Sequence, residues 1–416
     1  MLLTEHGKLP ERALRKNEGK GEQRMETMAE YLAELVKAGL EDRKAVPLPE
    51  GISVEEIVKI SGENHMDYLL LGALLRTEGL SEEEKELLRE KVMGSMVFTG
   101  LQLQELKALE QRMEAAKIPC QPMKGARMKF YYPSPFLREM SDIDILIHAD
   151  FMEQAAAELE AMGYVLQQKI KHHDIYRKAP GIVVEAHRAM YDRTVDERQY
   201  AYFSDLSRAV RRKGFLYVYD FEAEDFYIYM MAHMAKHFYK RGCGIRNLVD
   251  IYVFRQRFGA EMKADYLEKQ FAGLGLTAFV EHMEKLTRIW LRGEQCEEFY
   301  QQLFDYMQGC GIYGKDENGI WNRFCDEETE EGGCGRGTLK RWYWFPPYEY
   351  MVLYYPWLPK NPITGKLLLP AAWGIRAVRG VVCGRGKYKR EMLRQIDEAQ
   401  IGVRQDIYRR LQLRFH

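Results

Sequence analysis

Two aspartates separated by a single isoleucine lead into an apolar run, in the segment Ser-Asp-Ile-Asp-Ile-Leu-Ile that begins at residue 141. Side chains two residues apart on a β-strand point to the same face. A strand here would direct the carboxylates of Asp142 and Asp144 to one side and bury Ile143 and Ile145 on the other. Adjacent carboxylates repel each other unless a cation or a proton lies between them. Because hard oxygen ligands favour Mg²⁺ shared with substrate phosphates, the spacing indicates phosphoryl or nucleotidyl transfer.

A third carboxylate, that of Glu185, lies within the apolar segment Ile-Val-Val-Glu-Ala-His. An ionised carboxylate in the middle of such a strand is costly unless it is paired or bound to a metal. A two-metal site for in-line displacement needs a further acid, and Glu185 is the candidate. The two aspartates alone would equally suit a strand-end turn or a surface pair. Lys124 and Gly125 upstream, together with Glu185 downstream, favour the catalytic interpretation.

The composition indicates folded domains without a strong overall charge. The chain has 416 residues, which is long enough for two or three domains. Its residues are 46% hydrophobic and 12% aromatic, a composition that supports folded cores. Its 61 basic and 62 acidic residues nearly cancel, so overall charge does not drive nucleic-acid binding. Residues 1–10 lack the apolar core of a signal peptide, and no uncharged apolar run reaches the ~18 residues of a spanning helix. The seven cysteines form no CxxC pair, which argues against a zinc knuckle and favours reduced thiols in a cytoplasm.

Hydrophobic periodicity predicts helices on both sides of a short series of strands. Helices are expected over 22–40, 64–75, 81–96 and 97–117 before the strands, and over 226–239, 246–258 and 264–304 after them. Strands are expected over 120–123, 142–148, 164–168, 173–177 and 182–187. Because several strands follow one another directly, the pattern favours an α+β unit over a doubly wound sheet.

Five regions follow from this pattern. They are an N-terminal helical module (1–95), a catalytic core (96–216), a helical domain (217–320), an acidic glycine-rich loop (321–340) and a basic C-terminal helical tail (341–416).

The order of the motifs resembles that of the DNA polymerase β-type nucleotidyltransferase superfamily. Lys-Gly is followed by an Arg, by Ser-Asp-Ile-Asp-Ile-Leu-Ile, by a helix ending in Gly-Tyr, and by Val-Val-Glu-Ala-His. The pattern is most similar to an uncharacterised bacterial nucleotidyltransferase family, over about residues 96–258 and more faintly over 345–376. The resemblance implies a short mixed sheet with flanking helices, followed by a helical domain. It also implies two Mg²⁺ ions, with Mn²⁺ as the alternative, and transfer of a nucleoside monophosphate from an NTP such as ATP.

The resemblance further implies roles for the three acids. Asp142 and Asp144 would bind the metals that bridge the triphosphate, and Glu185 would join the metal that activates the acceptor hydroxyl.

The same resemblance implies nucleotide contacts around the Lys-Gly turn. Gly125 would let the backbone approach the phosphates, while Lys124 and Arg138 would neutralise their charge. Ser141 completes this set. The superfamily usually has Gly-Ser before the aspartates, but here Ala126 follows the glycine, and the loop before the aspartates is longer. The usual hydroxyl contact to the γ-phosphate is therefore missing.

Four histidines and one Arg/Asp pair are candidates for the acceptor site. Two of the histidines stand in His-Met-Ala-Lys-His, which lacks the Glu of a HExxH zinc protease. Structural hydrogen bonds on one helix face are the simpler interpretation for them. The Arg and the Asp, four residues apart, are expected to form an ion pair along their helix. The six residues are His173, His187, His233, His237, Arg246 and Asp250.

The tail is basic, with twelve Lys and Arg against four Asp and Glu between residues 361 and 416. Leu367–Pro370 leads into an apolar segment from Ala371 to Val382 that carries Arg376 and Arg379. The stretch from Leu367 to Arg390 therefore suits an anionic membrane surface or an acidic partner. The simpler interpretation is a tail helix whose arginines pair with the acidic N-terminal helices.

The leading hypothesis is a cytoplasmic, Mg²⁺-dependent nucleotidyltransferase that works by two-metal in-line attack. Because no extended basic groove is evident outside the tail, a small molecule, sugar or protein side chain is favoured as acceptor over long nucleic acid. The alternative is a non-catalytic nucleotide- or partner-binding module on a degenerate transferase scaffold. Ala126 favours that alternative, whereas the three retained carboxylates favour the enzyme.

Overall fold

Helices precede and follow a small mixed sheet in this protein. The computed structural model describes residues 27–170, 172–191, 196–203, 206–315, 341, 344–355, 357–382 and 398–413. The helices before the sheet are α1 (Thr27–Leu40), α2 (Val54–Asn64), α3 (Gly72–Leu74) and α4 (Glu82–Ala115), with a π-helix at Asp67–Leu71. Those within and just after the sheet are α5 (Lys124–Met128), α6 (Met152–Ala161) and α7 (Glu197–Tyr202).

The later helices form the second helical part. They are α8 (Ala223–Arg241), α9 (Arg246–Phe258), α10 (Ala264–Leu274), α11 (Thr277–Arg292) and α12 (Glu298–Cys310). The described part of the tail contains α13 (Tyr348–Tyr354), α14 (Pro362–Leu367), α15 (Leu369–Val382) and α16 (Glu398–Leu411). No helix in the described ranges is long and apolar enough to cross a membrane.

Five strands form the central sheet, in the order β1-β2-β5-β4-β3. Their bounds are β1 (Cys120–Pro122), β2 (Ile143–Ile147), β3 (Val165–Lys169), β4 (His173–Lys178) and β5 (Ile182–His187). Strands β2 and β5 run parallel, and the other neighbours are antiparallel. A separate ribbon pairs β6 (Ala209–Arg211) with β7 (Tyr219–Phe221). The predicted α+β class, a short mixed sheet with helical regions on both sides, is confirmed.

One face of the sheet packs on its own hydrophobic core. Ile143, Ile145 and Ile147 point into this core and are completely buried, as the alternation of the strand predicts. Leu109 of α4 and Leu159 of α6 are among the helical residues that pack there. The apolar side chains therefore anchor β2 in place and leave its polar residues to the opposite face.

The helices before and after the sheet share a second hydrophobic core. Leu35 of α1 belongs to the same buried cluster as Trp290 of α11 and Phe304 of α12. The indole Nε1 of Trp290 also donates a hydrogen bond to the carbonyl of Ala29, at 2.8 Å. Two regions that the sequence separates by more than a hundred residues thus form one helical layer. The five proposed region boundaries stay predictions.

Two of the predicted helices differ from the observed ones. The segments 81–96 and 97–117 form the single helix α4, because the residues around Met96 contain no proline and the two nearby glycines, Gly94 and Gly100, each cost a helix only about 1 kcal/mol. Conversely, the helix expected over 64–75 is interrupted. His65 adopts the left-handed conformation, with φ of 51°, and ends α2.

Parts of the tail predictions lie outside the described residues. The acidic glycine-rich loop is among them, as is the segment 383–397. Within α14 and α15, the apolar side chains of Leu367 and Val378 are exposed. A membrane or acidic-partner contact through this segment stays a prediction.

A buried ion pair ties the loop before β2 to helix α9. The guanidinium of Arg138 donates to both carboxylate oxygens of Asp250, Nε to Oδ1 at 3.0 Å and Nη2 to Oδ2 at 2.8 Å. The hydroxyl of Tyr132 donates to the same carboxylate at 2.7 Å. All three side chains are buried. This pair fixes the loop that leads into the aspartate strand against the helical layer.

Replacing Asp250 with Ala tests how much the ion pair between Arg138 and Asp250 contributes to stability. Removing one partner leaves the charge of Arg138 buried and unpaired, so Asp250→Ala is expected to lower the free energy of unfolding by about 3–5 kcal/mol. Urea denaturation followed by circular dichroism would measure it. The exposed Asp265 on α10 is the matched control, and Asp265→Ala should cost less than about 1 kcal/mol. A loss no larger for Asp250→Ala than for the control would contradict the prediction.

Candidate functional site

Strand register gathers acids and imidazoles on the polar face of the sheet. Parallel pairing of β2 with β5 places Asp144 directly opposite Glu185. Asp142 lies just before the first residue of β2, close enough for the charges of Asp144 and Glu185 to act on its carboxyl group. His187 follows Glu185 by two residues, and antiparallel pairing of β4 with β5 sets His173 opposite it. The sheet therefore brings three carboxylates and two imidazoles together.

The donor atoms of this face lie close enough to share one cation. Nε2 of His187 is 2.8 Å from Oδ1 of Asp144 and 3.2 Å from Oε2 of Glu185. One donor atom from each of these three residues lies within 4.8 Å of the other two. Asp144 and His187 are 2% and 4% exposed, so any ion held here would be largely shielded from water.

A second set of donor atoms overlaps the first. His172, His173 and His187 also offer nitrogens within 4.8 Å of one another, and Nε2 of His173 is 3.8 Å from Oε2 of Glu185. Asp142 belongs to neither set among the residues that the structure describes. Its place as a metal ligand stays a prediction.

Lys124 provides the cation that faces these acids. Its Nζ lies 2.5 Å from Oδ1 of Asp144. The backbone positions it, because the amide of Met123 donates to the carbonyl of Asp144 at 3.0 Å and extends the pairing of β1 with β2. Lys124 itself has a φ of 47°, a left-handed conformation that is uncommon for a residue with a side chain. The ion pair is one interaction that offsets this backbone strain.

The charges of the cluster shift its carboxyl groups in opposite directions. Burial, reinforced by the negative charge of Asp144, raises the pKa of Asp142 to about 7. Burial would also raise the pKa of Asp144, but the Lys124 ammonium and the His187 imidazole outweigh it and hold that pKa well below its usual range. Burial is also the largest single influence on Glu185 and would raise its pKa, but the hydrogen bond with His187 and the charges of Lys124 and His187 together outweigh burial and lower that pKa. Asp144 and Glu185 are thus the ionised pair near neutral pH.

Helix α8 places a pair of neutral histidines beside this cluster. Nε2 of His233 lies 3.0 Å from Nε2 of His237, so the structural hydrogen bond expected for this pair is present. Burial lowers the pKa of both imidazoles, that of His237 to about 3, and the charge of Lys124 adds to the effect. Both side chains are therefore neutral near pH 7, and their contact with an acceptor stays a prediction.

Arg138, Arg246 and Asp250 are arranged differently from the expected helix pair. Asp250 accepts hydrogen bonds from Arg138 and Tyr132, whereas Nη1 of Arg246 donates to the carbonyl of Glu139 at 3.2 Å. The predicted ion pair between Arg246 and Asp250 was wrong, because Arg138 reaches the carboxylate from the preceding loop with two hydrogen bonds. The nucleotide contact proposed for Arg138 stays a prediction.

Gly125 and Ser141 lie on the loops at the entrance to β2. A Cβ on Gly125 would come within 2.9 Å of the Cβ of Met140 and 3.2 Å of Nη1 of Arg138, so packing alone requires a glycine there. The Oγ of Ser141 is hydrogen-bonded to Nδ1 of His65 at 3.3 Å and accepts a hydrogen bond from the Tyr313 hydroxyl at 2.7 Å.

Three residues of this region were not found from the sequence. His65, at the end of α2, and Tyr313, in the turn after α12, reach Ser141 from distant parts of the chain, and no local pattern points to them. Lys129 follows Gly125 by four residues, and that helical spacing could have placed it on the buried side. The side chain of Lys129 is completely buried, and its Nζ has no hydrogen-bond partner within the described part of the chain.

Comparisons with known proteins give a family and one distant structure. A family model described as "Uncharacterised nucleotidyltransferase" matches residues 51–292, a span that contains the whole carboxylate cluster. No curated protein matches the chain. Among solved structures, the chain is similar to an antigenic nucleotidyltransferase-like protein from Paracoccidioides brasiliensis. The identity is 18%, over 44% of this chain and 91% of that one, with a TM-score of 0.28.

Replacing Lys129 with Met tests the cost of its burial. Burial, together with the charge of Arg138, lowers the pKa of Lys129 to about 7, whereas an unfolded lysine titrates near 10.4. Between these values the unfolded state binds more protons, so this group makes stability rise with pH and lowers it near pH 7. Lys129→Met is therefore expected to raise the free energy of unfolding at pH 7 by about 1–3 kcal/mol.

Urea denaturation at pH 7 and at pH 9 would measure both parts of this expectation. The gain from Lys129→Met should shrink at the higher pH, because the native lysine is already neutral there and the free-energy cost of removing its proton falls as the pH approaches the pKa of the unfolded lysine. Lys269→Met, at an exposed position of α10, serves as the control and should show no such pH dependence. A variant less stable than the native protein at pH 7 would show that Lys129 has a stabilising partner.

Proposed function

Because this chain belongs to the uncharacterised nucleotidyltransferase family, we propose that its carboxylate cluster transfers a nucleoside monophosphate from an NTP to an acceptor hydroxyl. The observation that carries the proposal is the parallel register of β2 and β5, which sets Asp144 beside Glu185. Lys124 and His187 face this pair at hydrogen-bond distance. Acids converging with a lysine on one rigid sheet face suit the binding of a metal-complexed triphosphate.

The residues present fit a divalent cation. Asp144 and Glu185 supply ionised carboxylate oxygens, and the proposed role of Asp142 adds a third acid. A cation such as Mg²⁺ or Mn²⁺, when bound, would neutralise charge that develops on the triphosphate. The two carboxylates that are ionised near neutral pH, those of Asp144 and Glu185, carry more negative charge than the ammonium of Lys124 offsets, and this excess favours a further cation.

The protein side chains then divide the work of the reaction. The acceptor oxygen forms a bond to the α-phosphorus, and the bond from that phosphorus to the bridging oxygen of the β-phosphate breaks, releasing pyrophosphate. Lys124 neutralises phosphate charge at the entrance of the cluster. Glu185, which keeps 19% of its side chain exposed, would hold a cation on the acceptor side, and the proton of the acceptor hydroxyl leaves to solvent.

The acceptor is proposed to be a small molecule, a sugar or a protein side chain. The candidate contacts on its side are His173 and the neutral pair His233 and His237, together with Arg246, whose Nε is buried without a hydrogen-bond partner in the described structure. Ser141 and Gly125 are proposed to line the nucleotide side. A cytoplasmic location is part of the same proposal.

Label transfer from each of the four α-³²P NTPs tests the activity directly. The purified protein would be incubated with Mg²⁺ or Mn²⁺ and with cell extract as the source of acceptor. Asp144→Asn and Glu185→Gln are expected to lower transfer by at least ~100-fold, because each removes charge that holds the metal. Asp150→Asn, at an exposed position just after β2, is the matched control and should retain full transfer.

The outcomes separate the enzyme from a binding module. Label transferred by the native protein and by Asp150→Asn alone supports the proposal, and the labelled species identifies the acceptor class. Metal-dependent NTP binding without transfer would instead favour a non-catalytic nucleotide-binding module. Neither binding nor transfer by a folded protein would overturn the proposed function.

A further inference from the structure

His187 is placed as a ligand would be, between the two ionised carboxylates. Its Nε2 lies 2.8 Å from Asp144 and 3.2 Å from Glu185. The ring is 4% exposed and is carried by β5, the strand that also carries Glu185. The arrangement is therefore rigid and mostly dry, and the three donor atoms already converge.

A single proton satisfies this arrangement poorly. The one N–H of His187 on this side can be directed at Asp144 Oδ1 or at Glu185 Oε2, but it cannot donate a full hydrogen bond to both. The other ring nitrogen, Nδ1, is buried and has no hydrogen-bond partner in the described structure. A divalent cation in the place of that proton would bind the nitrogen of His187 and one oxygen each of Asp144 and Glu185 at the same time. The imidazole would then contribute a lone pair instead of competing for the same acceptors.

The chemistry of the donors also selects among metals. Carboxylate oxygens suit Mg²⁺ and Mn²⁺, whereas imidazole nitrogen favours transition-metal ions over Mg²⁺. His173 strengthens this bias, because its Nε2 lies 3.8 Å from the carboxylate of Glu185 and its ring centroid 4.8 Å from that of His187. Two imidazoles beside the same carboxylate therefore favour a transition-metal ion over Mg²⁺.

We propose that His187 is a metal ligand together with Asp144 and Glu185, and that this mixed site prefers a transition-metal ion such as Mn²⁺ to Mg²⁺. The inference deepens the proposed function, on whose metal site it rests. His173 supports the same ion from the neighbouring strand. The position of His187 two residues after the third carboxylate is what lets one strand supply both kinds of ligand.

Pulsed EPR of bound Mn²⁺ tests the ligand without any assay of activity. The native protein, loaded with Mn²⁺ alone, is expected to show the ¹⁴N coupling of a bound imidazole. His187→Gln should lose that signal and weaken Mn²⁺ binding by about tenfold or more, while Mg²⁺ binding, measured by competition, changes less. His148→Gln, at an exposed histidine one residue after β2, is the control and should keep both the signal and the affinity.

Each result bears on a different part of the inference. Mn²⁺ bound by the native protein without ¹⁴N coupling overturns the role of His187 but leaves a carboxylate metal site, and with it the proposed function, intact. A signal that survives His187→Gln but disappears in His173→Gln would also overturn the assignment to His187. No binding of Mn²⁺ or Mg²⁺ to the folded protein, with or without NTP, would remove both. If His187→Gln fails to fold, His173→Gln still tests the assignment: a ¹⁴N signal that persists in that variant supports His187, and a signal that is lost overturns the assignment.

Discussion

Repulsion among carboxylates on one sheet face is the constraint around which this protein is organised. Asp144 and Glu185 are neighbours in the parallel register of β2 and β5, and Asp142 lies just before the first residue of β2. Like charges held this close, away from water, require cations or protons between them. Lys124 and His187, both of which contact Asp144, reduce this repulsion. The pKa of Asp142 rises to about 7, so this third carboxyl group is partly protonated near neutral pH.

The surrounding structure keeps this arrangement rigid. The isoleucines of β2 are fully buried on the other face of the sheet, so the strand cannot rotate without exposing its core. The backbone amide of Met123, which follows β1, donates a hydrogen bond to the carbonyl of Asp144 and so positions the next residue, Lys124. The loop before β2 is tied to α9 by the buried pair of Arg138 and Asp250. These contacts hold the charged groups in place before any substrate binds, which is the preorganisation that electrostatic catalysis requires.

Near the cluster, burial lowers the pKa of several basic side chains and so favours their neutral forms. Helix α8 supplies His233 and His237, which burial keeps neutral, and Lys129 lies beneath the neighbouring loop with a pKa lowered to about 7. Such groups cost stability, because each loses hydration without full compensation.

The sequence by itself determined the local parts of this protein. Alternation along β2 separates Asp142 and Asp144 from the isoleucines, the apolar surroundings of Glu185 mark it as exceptional, and runs of strands without intervening helices indicate the α+β class. These inferences succeed because strand periodicity is a property of neighbouring residues. Only the tertiary structure decided which strands pair, and therefore that His187 contacts Asp144, that Asp250 pairs with Arg138 and not Arg246, and that α1 shares a core with α11. Those contacts join residues tens to hundreds of positions apart, and chain packing determines them where no local pattern does.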